Sequence, residues 1–217
     1  MIGRTMALAC ALTLGAVAAR AEMADVDGGQ IYYETCGKGA QAIVLIHDGV
    51  VNSASFDDMW PILCRDFRVV RYDRRGYGRS PAAKAPYSPQ DDLAAVMAAA
   101  KMEHASLVGF SFGGGLAVSY ALLHPEQVDR LVLSGTALNG FRPSPSFGKH
   151  VSRMMMPMII GDMDAVVANA ETSGWVMAPG HPEAKARALA ILKASPQDLR
   201  HQMRDPIKGW PSDMPRM

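Results

Sequence analysis

The residues best suited to chemistry are a serine and the glycines around it, in the stretch GFSFGGG at 109–115. An apolar segment at 105–108 predicts a short buried strand before the serine, and the residues after it predict a helix. This G-x-S-x-G pattern is typical of a sharp strand-to-helix turn that lifts a nucleophilic hydroxyl clear of a sheet. Such a turn strains the backbone of Ser111 and crowds its neighbours, so Gly109 and Gly113 are needed beside it.

The chemistry that this turn supports is nucleophilic attack on an acyl carbon. The start of the following helix would offer backbone N–H groups to the oxyanion that develops during the attack. A second interpretation stays open from the stretch alone, since Ser111 could simply cap a helix after a glycine-rich turn.

The elements that must position this serine alternate between strands and helices. A hairpin comes first, with a turn signal at 27–29 ahead of a strand at 31–35. The later strands are apolar throughout, at 42–46, 67–72, 105–108 and 128–134. Helices are predicted over 53–64, where Pro61 marks a kink or an early break, and over 88–100. This alternation predicts an α/β fold, with a mostly parallel sheet flanked by helices.

From residue 139 the pattern changes to short helical patches between prolines, and no buried strand is predicted after Ser134. The clearest patches are 184–193 and 197–203, and we interpret 139–217 as a helical cap region above the sheet. Its large apolar residues either line a pocket for an apolar substrate or pack the helices together. They are Met154, Met155, Met156, Met158, Met163, Trp175 and Met177.

Length and charge limit the possible partners. With 217 residues, 49% of them hydrophobic, the chain fits one globular domain with an insertion. The formal net charge of +1 gives no reason to expect nucleic acid or an anionic membrane surface as a partner. A small molecule is the expected partner, and the sequence predicts no oligomeric state.

The first 21 residues, 1–21, are predicted to be a secretory signal peptide. Arg4 precedes an uncharged apolar run at 6–19, and the Ala-Arg-Ala sequence at 19–21 is a cleavage pattern. The run is shorter than the roughly 20 residues that a membrane span needs, although an uncleaved anchor remains the alternative. The sequence thus predicts an exported protein, periplasmic or extracellular, that is free of the membrane after cleavage.

Export permits disulfides, and the mature chain keeps two cysteines, Cys36 and Cys64. Cys36 follows a strand that runs antiparallel to the rest of the predicted sheet, and Cys64 closes a helix that descends to the same end. We therefore predict a Cys36–Cys64 disulfide, with two buried free thiols as the alternative.

Three motifs in chain order make the sequence similar to a known family. They are HDG at 47–49 after the third strand, DRRGYGRS at 73–80 after the fourth, and GFSFGG at 109–114 after the fifth. Over about residues 31–138 the chain resembles α/β-hydrolase-fold proteins of the group with a helical cap. The resemblance implies a hydrolase core at 22–138 and a partial cap at 139–217, but it does not identify the substrate, because one fold hosts many chemistries.

The resemblance also implies roles for single residues. Ser111 would be the nucleophile, and the backbone N–H groups of Phe112 and Gly49 would form the oxyanion hole. His47 would hold its loop in place rather than act as a base, and Asp48 would point away from the oxyanion. The implied substrate is an ester or related acyl bond of a small, largely apolar molecule, with no metal or organic cofactor. Perhydrolase or acyltransferase chemistry on the same residues is a close rival.

The second motif, at 73–80, is predicted to be architectural. Gly76 and Gly78 would allow tight turns, and Asp73 or Arg75 would tie the neighbouring loops together by ion pairing. A solvated loop is the alternative for the arginines.

In the resembled family, the acid and then the histidine follow the serine, on loops after later strands. No such strands are predicted here, and Asp162 and Asp164 follow a run at 158–161 that is better interpreted as a cap helix. Surface positions are predicted for His104, His124, His150, His181 and His201. We therefore expect the last strands of the fold to be missing, and the chain to be a C-terminally incomplete hydrolase that is weak or inactive. The alternative is a non-catalytic or vestigial binding protein on the same scaffold.

Overall fold

The computed structural model describes residues 19–172, 180–194, 206–208, 210 and 212–216. The predicted signal peptide lies almost wholly outside these residues, as do the predicted helical patch at 197–203, Trp175 and Met177.

A single six-stranded sheet in the order β1-β2-β4-β3-β5-β6 forms the core. The strands are β1 (Arg20–Val26), β2 (Gly29–Cys36), β3 (Ala42–Ile46), β4 (Arg68–Tyr72), β5 (Ala105–Phe110) and β6 (Val128–Ser134). The β1–β2 hairpin pairs antiparallel with β4, whereas β4, β3, β5 and β6 are mutually parallel. The predicted fold class, a mostly parallel sheet flanked by helices, is confirmed.

Three helices connect the parallel strands and cover both faces of the sheet. They are α1 (Trp60–Asp66), α2 (Pro89–Ala99) and α3 (Phe112–Leu123). α2 and α3 pack on one face with the larger apolar cluster, and α1 packs on the other. The segment at 53–64 is divided rather than kinked, because a separate 3₁₀ turn at Ser53–Phe56 precedes α1. The break lies before Pro61 and not at it. Pro61 lies in the first turn of α1, where its missing N–H costs nothing.

The Cys36–Cys64 disulfide predicted from the sequence is formed in the structure. The two Cα atoms lie 5.4 Å apart, although 28 residues separate them in the chain. Both residues are buried in the cluster that α1 forms with the sheet. The bridge therefore ties the end of β2 to α1, at the end of the sheet opposite Ser111.

Strand β6 is an edge of the sheet, and it presents apolar side chains to solvent. Val132 is 56% exposed, with Leu131 and Leu133 also exposed on the opposite face of the strand. An uncovered parallel edge with apolar residues on both faces favours association with other chains.

Among the described residues, three further α-helices follow the sheet, namely α4 (Pro145–Ile160), α5 (Met163–Thr172) and α6 (Pro182–Ala194). Met155, Met158 and Met163 pack among these helices and against Val50 of the loop after β3. For these three methionines the structure supports helix packing rather than a pocket lining. The run at 158–160 ends α4, and Asp162 begins α5 by accepting a hydrogen bond from the Ala165 N–H at 3.0 Å.

Within the described part of the chain, no helix combines the length and the apolar character that a membrane crossing requires.

Candidate active site

Ser111 stands between the end of β5 and the first residue of α3, with its side chain exposed. Its backbone angles are φ 48° and ψ −113°, a conformation that costs a non-glycine residue about 1–3 kcal/mol. Backbone hydrogen bonds hold the strained residue on both sides. The Ser111 N–H donates to the Ser134 carbonyl at 2.9 Å, and the Ser111 carbonyl accepts from the Ala137 N–H at 3.1 Å. The side chain makes no capping hydrogen bond to α3, which removes the main support for a simple helix cap.

The glycines that flank Ser111 have no room for a side chain. A Cβ on Gly109 would lie 2.5 Å from the Gly113 carbonyl oxygen, and a Cβ on Gly113 would lie 2.5 Å from the His47 carbonyl oxygen. Gly113 also faces the Ile46 carbonyl at still closer range. The start of α3 is therefore packed directly against the end of β3.

This packing brings together the two backbone segments that the resemblance assigns to an oxyanion hole. Phe112 is the first residue of α3, so no carbonyl of a preceding helical turn can accept its N–H. Gly49 is buried in the loop after β3, and its carbonyl accepts a hydrogen bond from the Tyr77 hydroxyl at 3.1 Å. A helix N-terminus also carries partial positive charge, which favours a developing oxyanion.

His47 is a fully buried structural residue. Its Nε2 accepts the Arg74 backbone N–H at 3.0 Å, so the proton lies on Nδ1, which donates to the Asp48 carbonyl at 2.7 Å. Burial, reinforced by the charge of Arg74, holds the pKa of His47 well below its usual value. Both ring nitrogens are thus occupied by the backbone, and neither is available as a general base.

The Asp48 carboxylate is engaged by its own loop. Its Oδ1 accepts the Val50 N–H at 2.6 Å and the Val51 N–H at 3.0 Å. Burial raises the pKa of Asp48, and these hydrogen bonds together with the Arg74 charge only partly oppose the shift.

The loop at 73–80 is architectural, but Asp73 acts differently from the prediction. Its two carboxylate oxygens accept the backbone N–H groups of Ser53 and Arg79, each at 2.9 Å, so it binds amides rather than a cation. Arg75 does form the predicted ion pair, with Asp92 of α2, through two hydrogen bonds of 2.7 Å. A solvated loop is excluded for Arg75, which is 3% exposed, whereas the Arg79 side chain is exposed.

A buried polar cluster that was not predicted from the sequence lies between α3 and the C-terminal residues. The Ser119 hydroxyl donates to Asp213 Oδ2 at 2.5 Å and accepts from Trp210 Nε1 at 2.7 Å. The Trp210 ring meets the Phe112 ring edge-on, with centroids 5.1 Å apart. The C-terminal residues thus contact the residue that follows the candidate nucleophile.

No histidine or carboxylate among the described residues forms a hydrogen bond with the Ser111 hydroxyl. His104 pairs with Asp129 at 2.8 Å, and His124 stacks on Tyr120 at the far end of α3. His150 lies within α4, His181 immediately precedes α6, and His201 lies outside the described residues. The described ranges also contain no group of three side chains suited to hold a metal ion.

Two cavities lie between α6 and the loops after β3 and β4. The larger, of about 410 Å³, is lined by residues that include Ser53, Arg71 and Ile191. The smaller, of about 250 Å³, reaches Asp48 and Val50. Ser111 lines neither of them, so they mark the space under α6 rather than the position of a scissile bond.

Known proteins share the fold of this chain. The esterase RhEst1 from Rhodococcus sp. ECU1013 superimposes with a TM-score of 0.67 and 25% identity, over 85% of this chain and 72% of that one. An enol-lactonase from Burkholderia xenovorans LB400 shows the same fold, with a TM-score of 0.66 and 24% identity, over 83% of this chain and 71% of that one.

Among curated relatives, the 2-hydroxymuconate semialdehyde hydrolase of Pseudomonas sp. (strain CF600) is 40% identical over 102 residues, which are 44% of this chain and 36% of that protein. The pimeloyl-[acyl-carrier protein] methyl ester esterase of Edwardsiella ictaluri (strain 93-146) is 36% identical over 102 residues, 47% of this chain and 39% of that protein. The match therefore spans well under half the length of either relative. The family model for the alpha/beta hydrolase fold matches residues 41–171, which is more than half of the chain, and the chain belongs to this family.

Proposed function

We propose that the protein is a serine hydrolase that cleaves an ester or related acyl bond of a small, largely apolar substrate. The observation that carries the proposal is the backbone of Ser111, whose φ of 48° raises an exposed hydroxyl at the N-terminus of α3. Relatives named as hydrolases and esterases support the same reaction class.

In the proposed reaction, the Ser111 hydroxyl attacks the acyl carbon, and its proton passes to a base. The negative charge that develops on the carbonyl oxygen is stabilised by the N–H groups of Phe112 and Gly49. Each such donor contributes about 3–4 kcal/mol to the transition state in enzymes where it has been removed. The alcohol leaves with a proton, an acyl-enzyme forms, and water releases the acid.

We expect this 217-residue chain to react slowly, because none of the described histidines is bonded to Ser111. A hydrolase that lacks a triad member keeps about 10³–10⁴-fold catalysis over water from its oxyanion hole and binding alone.

Labelling with a fluorophosphonate tests the proposal, because the reagent reacts with an activated serine and leaves a stable adduct. The chain should be labelled slowly at Ser111, and Ser111→Ala should abolish the label. Equal labelling of both proteins contradicts the proposal and favours a non-catalytic binding protein. Fast, stoichiometric labelling of Ser111 instead identifies a base close by, to be sought among His150, His181 and His201.

We further propose that the protein is exported. The Cys36–Cys64 bridge supports this, because disulfides persist in oxidising compartments. Cleavage after Ala21 would make Glu22 the first residue and shorten β1, since Arg20 and Ala21 pair with β2 in the uncleaved chain. N-terminal sequencing of protein from the periplasm or medium should begin at Glu22. Recovery of full-length chain from the cytoplasm contradicts the proposal.

A further inference from the structure

Arg74 is a buried cation close to the candidate nucleophile. It is 5% exposed, and no carboxylate of the described residues forms an ion pair with it. The Asp48 carboxylate lies near enough to interact with its charge, but it makes no direct ion pair with the guanidinium. A buried guanidinium without a direct ion pair is costly, so its environment must supply other contacts. Those contacts come from the loop after β3 and from two aromatic rings.

The first contact fixes the peptide group that joins Asp48 to Gly49. Arg74 Nη2 donates to the Asp48 carbonyl at 2.7 Å, and His47 Nδ1 donates to the same oxygen at 2.7 Å. In a trans peptide the N–H points away from the carbonyl, so two donors on the Asp48 oxygen set the direction of the Gly49 N–H. The Tyr77 hydroxyl, which donates to the Gly49 carbonyl at 3.1 Å, holds the next peptide group.

The second contact reaches the other side of the candidate oxyanion hole. The Arg74 guanidinium carbon lies 4.2 Å from the centre of the Phe112 ring and 4.4 Å from that of Tyr77. A cation held this close over an aromatic face is attracted to it, most strongly where water is excluded. One side chain therefore contacts Phe112 and the Asp48–Gly49 peptide group, which carries the Gly49 N–H.

We propose that Arg74 is a positioning residue of the oxyanion hole, which aligns the Gly49 N–H through the Asp48 carbonyl while it packs on Phe112. This inference rests on the proposed function. A hydrogen bond to the carbonyl also polarises the peptide group and makes its N–H a stronger donor. The guanidinium charge, which the Asp48 carboxylate offsets without a direct ion pair, adds positive potential near the point where negative charge develops.

The test uses Ser111→Cys, because a thiolate attacks an activated ester without a general base. Two reactions of the introduced thiol are compared at one pH. Acylation by 4-nitrophenyl acetate passes through an oxyanion, whereas alkylation by iodoacetamide displaces iodide and forms none. We divide the rate constant for acylation by the rate constant for alkylation, because changes in thiol ionisation and access affect both and cancel in this ratio. The parent chain, which keeps Ser111, measures the background reaction of Cys10.

The acylation-to-alkylation ratio of folded Ser111→Cys should exceed that of the same protein unfolded in urea, because only the folded protein has an oxyanion hole. Adding Arg74→Met should lower the ratio by about 10-fold, less than the about 10²–10³-fold cost of removing an oxyanion donor outright. Adding Arg79→Met should leave it unchanged, since Arg79 lies in the same motif but its exposed side chain pairs with Glu34.

Arg74→Lys keeps the positive charge but lacks the planar guanidinium, and it should lower the ratio by about three-fold. This variant replaces Arg74→Met in the test if Arg74→Met does not fold. An unchanged ratio in the folded Arg74 variants overturns the inference and leaves the proposed function standing. A ratio in folded Ser111→Cys no higher than in urea overturns both, because it shows that no oxyanion hole is present.

Discussion

Gly113 at the start of α3 packs directly against the backbone at the end of β3. We therefore predict that Gly113→Ala lowers the free energy of unfolding. Gly113 and Gly148 both lie inside helices, α3 and α4, and helix propensity alone favours alanine over glycine by about 1 kcal/mol at either position. The two glycines differ in their surroundings, so the same substitution should have opposite effects on the free energy of unfolding.

The magnitude follows from what the added methyl group meets. At Gly113 it would lie 2.5 Å from the His47 carbonyl oxygen and closer to that of Ile46, below the 3.0 Å that real Cβ atoms keep. The Ile46 oxygen cannot move easily, because β3 is hydrogen-bonded to β4 on one side and β5 on the other. Overpacking of this kind costs about 1–3 kcal/mol or more. After subtraction of the helix gain of about 1 kcal/mol, we expect Gly113→Ala to lose about 1–2 kcal/mol, because both close contacts are with backbone oxygens. At Gly148 nothing lies within 4 Å, and a gain of about 0.5–1 kcal/mol is expected.

Urea unfolding followed by circular dichroism measures both effects, with the parent chain as reference. The midpoint should fall for Gly113→Ala and rise slightly for Gly148→Ala, with little change in slope. If both midpoints rise together, helix propensity governs both sites and the packing of α3 on β3 is wrong.

Three further predictions concern other parts of the molecule. Replacing Cys36 and Cys64 by alanine should lower the free energy of unfolding by about 3–4 kcal/mol, because the bridge closes a loop of 28 residues; an unchanged urea midpoint would show that the bridge adds nothing. Val132→Lys places a charge on the exposed edge strand and should slow aggregation, as measured by light scattering. Equal aggregation rates for the parent and the variant would show that the protein does not aggregate through β6. The stability of the parent should fall as the pH drops below about 6.5, by up to about 1.4 kcal/mol per pH unit, because the unfolded chain binds a proton that the buried, neutral His47 does not. His47→Gln should lack this part of the pH dependence, and identical slopes in both proteins would refute the assignment.

The geometry around Ser111 was predictable because its cause is local. The strained turn and the crowding at Gly109 both arise within a few residues of the chain, so the pattern itself indicates them. The crowding at Gly113 comes instead from the Ile46 and His47 carbonyls, which only the folded structure brings there. The parallel sheet was predictable for a related reason, since a run such as 42–46 that is apolar at every position must be buried on both faces.

Details that depend on partners far along the chain were harder to predict. Asp73 stands next to arginines in the sequence, which suggests ion pairing, yet its carboxylate binds the Ser53 N–H of another loop. Arg74 and Tyr77 showed no pattern of their own, and only the folded structure brings them to the backbone around Gly49.

One residue of the sequence, Ser119, does indicate the buried polar cluster that it forms with Trp210 and Asp213. Ser119 interrupts the otherwise apolar run LAVSYALL of α3, and a polar group on a buried helix requires a hydrogen-bonding partner. That partner could not be named from the sequence, because Trp210 and Asp213 lie 91 and 94 residues further along the chain. The need for it nevertheless implies that some distant polar residue packs on α3. Since Trp210 also touches Phe112, the same requirement connects the C-terminal residues to the candidate oxyanion hole.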